Sequence, residues 1–211
     1  MSVLRYSARI GETGVLGPGR RAVIWVHGCC FHCEGCIAEN FKKGSGRVTT
    51  PEEMADWYGS QGADGLTISG GEPMLQPGPL AETVERIRAA ADCGVIVYTG
   101  FVYEELLKRA ETEADLRRFL GDIDLLIDGP YVRALDDARP YRGSSNQRLL
   151  PLTDRYRSAL ETYYNAATAR QMEIRLSGSY TLMVGVPGPE QTAIWEKIKE
   201  MGEKHGADLE A

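Results

Sequence analysis

The chain has 211 residues, 43% of them hydrophobic, which is enough to bury one sizeable core, so we expect one globular unit with an elaboration. Lysine and arginine total 24 against 30 acidic residues, a formal net charge of −6, so the composition gives no general basic field to attract nucleic acid or an anionic membrane. The first residues lack the apolar core of a signal peptide, and the longest apolar runs, such as 22–26, are far too short to span a bilayer. We therefore expect a cytoplasmic protein that contacts neither membrane nor nucleic acid.

Short apolar runs alternate with helical patterns along the first two thirds of the chain. The runs at 21–27, 65–68, 94–98 and 123–127 are rich in β-branched residues and are bounded by Gly or Asp. This pattern is typical of strands that are buried on both faces.

Helices are predicted between these strands. Thr50, Pro51 and Glu53 form a capping-box sequence that opens a helix through about residue 58, and residues 79–92 and 103–119 carry apolar positions at helical spacing. Strand followed by helix, repeated, builds a parallel sheet with crossover helices. The sequence therefore predicts an α/β fold, open or partly closed.

The chain after residue 150 is predicted to be a small elaboration, residues 151–211, packed on the core. Residues 172–185 alternate between apolar and polar side chains, as the strands of a β-hairpin do. Residues 189–204 are predicted to form a closing helix. A helix is also predicted over residues 155–170.

Four of the five cysteines stand within residues 29–36, too tightly for an ordinary disulfide scaffold, so metal binding or thiol chemistry fits better. Cys29, Cys33 and Cys36 have the spacing C-x3-C-x2-C, whereas Cys30, Cys33 and Cys36 have C-x2-C-x2-C. Either triplet suits an iron–sulfur cluster, because soft sulfur ligands satisfy iron, and three cysteines leave one iron open for a substrate. A zinc site with His32 or Cys30 as fourth ligand, and a reactive thiol, are the alternatives.

A second motif follows the next predicted strand. The stretch SGGEP at 69–73 lets the backbone approach a ligand closely at the glycines, and Glu72 can accept hydrogen bonds from an ammonium group. Ligand sites in parallel α/β folds lie at the carboxyl ends of the strands. The cysteine loop and this turn follow consecutive strands, so we expect them to face one cavity.

With both motifs present, the sequence resembles the radical S-adenosylmethionine (SAM) enzymes, and more narrowly the family of proteins that activate anaerobic ribonucleotide reductase. The blocks that carry the resemblance are GPGRR at 17–21, the cysteine loop at 28–36, SGGEP at 69–73, VYTGF at 97–101, IDGPYV at 127–132 and RGSSNQ at 142–147. The resemblance implies a partial (β/α) barrel over residues 1–150. Family members usually end soon after RGSSNQ, whereas this chain continues.

The resemblance also implies the site. Cys29, Cys33 and Cys36 match the ligands of a [4Fe-4S] cluster, Cys30 falls at a spacer position, and SAM would chelate the open iron. The residues implied to lie along SAM are Gly35, Cys36, Ile37, Gly70, Gly71, Glu72, Pro73, Thr99, Gly100, Asp128, Gly129 and Pro130.

The implied activity is one-electron cleavage of SAM and abstraction of a hydrogen atom by the resulting radical. In activating proteins the hydrogen comes from a glycine of a partner enzyme, and a flavodoxin- or ferredoxin-type protein is the expected reductant. A radical SAM enzyme that acts on a small molecule, a nucleoside precursor or a peptide is one alternative. A zinc-stabilised binding module without catalysis is another.

Residues outside these motifs have simpler interpretations. We interpret His32 as a solvated loop residue, Cys30 as a passenger and Cys93 as a buried thiol. For Arg142 and Asn146, a hydrogen-bond network within their loop is at least as plausible as a contact with cofactor or partner.

Overall fold

A computed structural model describes residues 2–165, 170–177, 180–204 and 208–210 of the chain. Its strands are β1 (Leu4–Thr13), β2 (Arg21–Val26), β3 (Arg47–Thr49), β4 (Gly65–Gly70), β5 (Gly94–Tyr98), β6 (Leu125–Asp128), β7 (Arg148–Pro151), β8 (Met172–Ser177), β9 (Tyr180–Gly185) and β10 (Asp208–Glu210). Its α-helices are α1 (Pro51–Gly59), α2 (Pro77–Ala90), α3 (Tyr103–Ala110), α4 (Ala114–Gly121), α5 (Arg157–Asn165) and α6 (Pro189–Lys204).

A mostly parallel sheet organises the fold. Its strand order is β3-β1-β2-β4-β5-β6-β7, and β2, β4, β5 and β6 run parallel to one another. β1 pairs antiparallel with β2, and β7 pairs antiparallel with β6. The α/β prediction is confirmed, while closure of this sheet into a partial barrel stays a prediction.

Both faces of the parallel strands are covered by other parts of the chain. This explains why their sequences do not alternate between apolar and polar residues. On one face Ile24 and its neighbours pack against α1 to α4. On the other face Val23 belongs to a buried cluster with Leu182 of β9, and Ile96 to one with Leu160 of α5. The chain beyond residue 150 therefore supplies the layer that covers the second face, as buried parallel strands require.

The predicted strands and the first two predicted helices are found close to their expected positions. At α1 the Thr50 hydroxyl accepts from the backbone N–H of Glu53, and the Glu53 carboxylate accepts from that of Thr50 at 3.0 Å, which confirms the capping box. The sequence pattern did not indicate β1, β3 or β7. These three strands pair antiparallel at the two sides of the parallel strands.

The single helix predicted over residues 103–119 is wrong, because the chain forms two helices, α3 and α4, with a break between them. The buried positions explain the break. Phe119 lies nine residues after Ala110, so in a continuous helix of 3.6 residues per turn their side chains would point to opposite sides. The break allows both residues to enter the same core cluster.

Beyond residue 150 the predicted hairpin and closing helix are confirmed. β8 pairs antiparallel with β9, with Met172 opposite Gly185, and α6 has the predicted bounds. Of the helix predicted over 155–170, residues 157–165 form α5, and 166–169 lie outside the described residues, as do residues 178 and 179 in the hairpin. The domain division at residue 150 stays a prediction. No helix in the described ranges is long and apolar enough to cross a membrane.

Candidate active site at the carboxyl edge of the parallel strands

The loops that follow the four parallel strands meet at one edge of the sheet. In the parallel register Val26 lies opposite Gly70, and Tyr98 lies opposite Ile127. The cysteine loop, SGGEP, the segment 99–101 and the segment 129–132 therefore emerge side by side. This arrangement is the one expected for a ligand site in a parallel α/β fold.

A cavity of about 190 Å³ lies between these loops. The predicted site residues that line it are Cys29, Cys33, Gly35, Cys36, Ile37, Gly70, Gly71, Glu72, Thr99, Gly100 and Gly129. Pro73, Asp128 and Pro130 stand next to lining residues in the sequence, but they do not belong to the lining within the described part of the chain. The expectation that the cysteine loop and the glycine turn face one cavity is confirmed.

The structure separates the cysteines by their surroundings. Cys29, Cys33 and Cys36 are partly buried and line the cavity, whereas Cys30 is exposed. Cys93 is buried immediately before β5, at the opposite edge of the sheet. Of the two overlapping triplets, only the one with C-x3-C-x2-C spacing thus has all its thiols on the cavity.

The surroundings of Cys29 and Cys36 oppose the ionisation of these two thiols. Burial raises the pKa of the Cys29 and Cys36 thiols, while the nearby ammonium group of Lys42 acts in the opposite direction. Lys42 also lines the cavity and pairs with Glu39 at 3.0 Å. Because buried thiolates need a compensating positive charge, a bound metal cluster would offset the cost that burial imposes.

A four-iron cluster and a single zinc ion require different arrangements of ligands. Among the described residues, no three His, Cys, Asp or Glu side chains converge as ligands of one metal ion would. Zinc requires four such ligands around one point, whereas a four-iron cluster takes each thiolate on a separate iron and needs its ligands spread around a cavity. His32, the other suggested zinc ligand, is exposed.

Glu72 is held inside the protein by neighbouring loops. Its side chain is buried and accepts hydrogen bonds from the backbone N–H of Met74 at 2.9 Å, from the Thr99 hydroxyl at 2.8 Å and from the backbone N–H of Gly100 at 2.8 Å. Burial raises its pKa, and the three hydrogen bonds act in the opposite direction. Glu72 therefore joins the loop after β4 to the loop after β5.

At two positions in these loops, a side chain larger than that of glycine would collide with a neighbouring segment. A Cβ atom on Gly71 would stand 1.9 Å from the carbonyl oxygen of Gly28, and one on Gly100 would stand 2.6 Å from the Phe31 ring. In addition, the N–H of Glu72 donates to the Gly28 carbonyl at 2.8 Å. The glycine turn is thus packed directly against the start of the cysteine loop, with no room for a side chain.

At the end of β6 the side chain and the backbone have different surroundings. The buried Asp128 carboxylate accepts from the Tyr103 backbone N–H at 2.8 Å and from Arg148. Gly129 adopts a φ of +98° and lines the cavity. Asn146 donates to the Pro130 carbonyl at 2.8 Å. The side chain of Asp128 anchors this segment, and its backbone faces the cavity.

The RGSSNQ loop forms the internal network that its sequence allowed. The Gln147 side chain accepts from the N–H of Gly143 at 2.7 Å and donates to the Gly129 carbonyl at 2.9 Å. Arg142 donates to the Gln147 carbonyl and pairs with Asp137. This loop therefore supports the segment after β6, and Gly143 and Gln147 themselves line the cavity.

Several lining residues were not predicted from the sequence. They are Leu16, Trp25, Phe31, Ala38, Phe41, Lys42, Ser69, Tyr98, Tyr131, Gly143, Gln147, Met183, Gly185, Val186, Pro187 and Thr192. Those close to a motif, such as Phe31 and Ser69, could have been found from their neighbours. Nothing in the sequence pattern of the last five indicates that they reach the site, because only the folded chain brings them there.

Comparison with known proteins agrees with this geometry. The family model of the 4Fe-4S single cluster domain matches residues 15–150. The anaerobic ribonucleoside-triphosphate reductase-activating protein of Salmonella typhimurium is 34% identical over 156 residues, covering 68% of this chain and 96% of that protein. Its counterpart in Enterobacteria phage T4 is 32% identical over 147 residues, covering 66% and 89% respectively.

A more distant similarity extends to a second kind of activase. The pyruvate formate-lyase-activating enzyme of Clostridium pasteurianum is 29% identical over 132 residues, covering 57% of this chain and 56% of that protein. Relatives of both kinds are activases of glycyl-radical enzymes. With the 4Fe-4S family model spanning the four strand-end loops, the matches establish that the chain belongs to the radical SAM activase family of oxidoreductases.

Proposed function

We propose that this chain activates a glycyl-radical enzyme by using SAM bound at a [4Fe-4S] cluster. The observation that carries the proposal is the shared cavity, which is lined both by Cys29, Cys33 and Cys36 and by the Gly70–Glu72 turn. The relatives named as reductase-activating proteins support the same assignment. We also propose that the sheet curves around this cavity as a partial (β/α) barrel.

Cys29, Cys33 and Cys36 are the proposed ligands of the cluster. Their partial burial, their position on one cavity and their different surroundings from the exposed Cys30 support this choice. When bound, the reduced cluster and SAM supply methionine and a 5′-deoxyadenosyl radical, which takes a hydrogen atom from a glycine of the partner and becomes 5′-deoxyadenosine. A flavodoxin- or ferredoxin-type protein is the proposed electron donor.

The Gly70–Pro73 turn is proposed to receive the amino group of SAM. An ionised carboxylate offers about four acceptor positions, and Glu72 uses three of them inside the protein, two on Oε1 and one on Oε2. One position on Oε2 thus remains for an ammonium group, while Pro73 begins the 3-10 helix that fixes the turn.

The other site residues implied by the resemblance are proposed to lie along the rest of SAM. Gly35, Cys36 and Ile37 come from the cysteine loop, Thr99 and Gly100 follow β5, and Asp128, Gly129 and Pro130 follow β6. Three buried apolar side chains that line the cavity, Leu16, Trp25 and Phe41, are proposed to keep water from the reacting region. Exclusion of water protects a reactive radical from side reactions.

Anaerobic reconstitution with iron and sulfide tests the proposal. We expect a brown protein with a 4Fe-4S cluster that releases 5′-deoxyadenosine from SAM under dithionite. A colourless protein that retains zinc and cleaves no SAM would overturn the assignment and favour the binding-module alternative.

A second measurement separates the substrate classes. The reduced enzyme is incubated with SAM and a glycyl-radical enzyme from the same genome, and the partner is examined by electron paramagnetic resonance (EPR). We expect a stable organic radical on the partner. Cleavage of SAM without any radical on the partner would favour a small molecule, nucleoside precursor or peptide as substrate.

A further inference from the structure

We propose that residues 182–192 form a fixed wall of the cofactor cavity and that Arg170 is the positioning residue that holds this wall in place. The inference rests on the proposed function, because it concerns where SAM binds. It goes beyond that function because the matched family model ends at residue 150, so the family pattern assigns no role to this part of the chain.

The wall shares its cavity with the cysteine thiols. Met183 and Gly185 lie on β9, Val186 and Pro187 follow it, and Thr192 lies on α6; all five line the cavity. Their side chains and backbone face the same space as the glycine turn. The site of this chain is therefore completed by residues that lie outside the matched domain.

Burial on both sides makes β9 a wall rather than a movable flap. Leu182 packs in a buried cluster with Trp25, which itself lines the cavity. Met183 points to the other side and packs with the fully buried Trp195 and with Ile37, the residue after the third cysteine of the motif. The cysteine loop and the wall thus share an apolar contact.

Arg170 joins the wall to the RGSSNQ loop, which also borders the cavity. Its guanidinium donates to the Pro187 carbonyl at 2.7 Å, to the Arg142 carbonyl at 2.8 Å and to the Gly143 carbonyl at 3.3 Å. It also pairs with the Asp136 carboxylate at 2.9 Å, and its side chain is 3% exposed. Pro187 and Gly143 both line the cavity, so one buried cation connects two of its sides.

The chemistry of this contact makes it sensitive to substitution. A guanidinium presents five N–H donors in a rigid planar fork, which an ammonium group or an apolar chain cannot reproduce. Replacing Arg170 by Met would leave the partly buried Asp136 carboxylate and the carbonyls without their donor. We expect the wall and the RGSSNQ loop to separate, which would widen the cavity and weaken the binding of SAM.

The experiment compares Arg170→Met with Arg170→Lys and with Arg157→Met, a matched control whose exposed side chain pairs only with Asp154 among the described residues. Each reconstituted full-length protein is titrated with SAM by equilibrium dialysis. The EPR spectrum of the reduced cluster is recorded with and without SAM. In iron-free protein, the rate of maleimide labelling is measured at Cys36 and Cys30.

For Arg170→Met we expect the cluster to be retained. The dissociation constant of SAM should rise by about tenfold, as is typical when a supporting residue is lost. The change that SAM causes in the EPR spectrum should weaken. Labelling of Cys36 should accelerate, while labelling of the exposed Cys30 stays unchanged. Arg170→Lys should fall between the wild type and Arg170→Met. Arg157→Met should match the wild type in every measurement.

Wild-type affinity for SAM and wild-type labelling of Cys36 in folded Arg170→Met would overturn the inference. If Arg170→Met does not fold, Met183→Ala decides instead, because it shortens a wall side chain without touching Arg170, and unchanged SAM affinity in that variant overturns the inference equally. A wild-type protein that binds SAM but activates no partner would contradict the proposed function and leave the wall intact.

Discussion

The hydroxyl of Thr99 donates a hydrogen bond of 2.8 Å to Glu72, and this bond ties together the loops that follow two neighbouring parallel strands. The backbone N–H of Gly100 adds a second link, to the other carboxylate oxygen. Glu72 thus links two loops by hydrogen bonds and is also the proposed acceptor for an ammonium group. Its two roles can be separated by substitution.

Glu72→Gln is expected to destabilise the chain. One carboxylate oxygen accepts from the Met74 N–H and the other from the Gly100 N–H, so the amide group of Gln faces a donor in either orientation. A buried donor left without an acceptor costs about 1–3 kcal/mol. Urea unfolding of the iron-free full-length protein measures the loss, and a midpoint equal to that of the wild type would contradict it.

The destabilisation by Glu72→Gln should depend on pH with a definite sign. Burial raises the pKa of Glu72 above its ordinary value of 4.5, so the native state keeps the proton to higher pH than the unfolded chain. The stability that this group contributes is therefore fully present below pH 4.5 and is lost as the pH rises through the native pKa. Gln does not titrate.

The deficit of the variant in free energy of unfolding should consequently be largest at pH 4.5 and below, and should shrink towards neutral pH. Urea unfolding of both proteins across this range checks the sign. A deficit that grows with pH would mean that the native protein lowers the pKa of Glu72.

Gly71→Ala should remove SAM binding. The added methyl group would stand 1.9 Å from the Gly28 carbonyl oxygen, so the turn and the cysteine loop must move apart. Overpacking of this kind costs about 1–3 kcal/mol of stability. Equilibrium dialysis and thermal unfolding measure both effects. Gly59→Ala, where nothing lies within 4 Å of the added Cβ, serves as the control and should retain wild-type binding.

The cysteine assignments predict a pattern across four variants. Cys29→Ala, Cys33→Ala and Cys36→Ala should each lose the cluster, because each removes one thiolate from the cavity. Cys30→Ala should retain it, because the Cys30 thiol is exposed and outside the lining. Iron analysis and visible absorption after anaerobic reconstitution provide the readout. Loss of the cluster in Cys30→Ala with retention in Cys29→Ala would assign the other triplet.

The sequence was most informative where a residue's role follows from its local neighbours. The Thr50–Glu53 capping box and the apolar run within Arg21–Val26 can be recognised from neighbouring residues alone. Parallel strands then bring their carboxyl ends together whatever lies between them. For these reasons the shared position of the cysteine loop and SGGEP could be predicted.

Features that depend on distant packing could not be predicted in this way. The break between α3 and α4 arises because Ala110 and Phe119 must reach the same core. The partly buried ion pair of Arg170 with Asp136 joins residues far apart in sequence, and its role is visible only when the carbonyl groups around it are placed. Periodicity carries no information on such contacts.

Asp128 provides the final test, because the resemblance places it beside SAM whereas its carboxylate contacts Arg148 and the Tyr103 N–H. Asp128→Asn weakens this buried contact and should lower the free energy of unfolding by about 1–3 kcal/mol. We expect the dissociation constant of SAM to stay near its wild-type value, because Gly129 rather than the Asp128 side chain lines the cavity.

The matched control for this prediction is Asp154→Asn, which changes a highly exposed partner of Arg157 and should alter neither quantity. Chemical unfolding and equilibrium dialysis on the same preparations separate the two roles of Asp128. A large loss of SAM affinity with unchanged stability would mean that the Asp128 carboxylate contacts the cofactor directly. A loss of stability alone would establish that Asp128 acts by anchoring the start of α3 and the segment after β6.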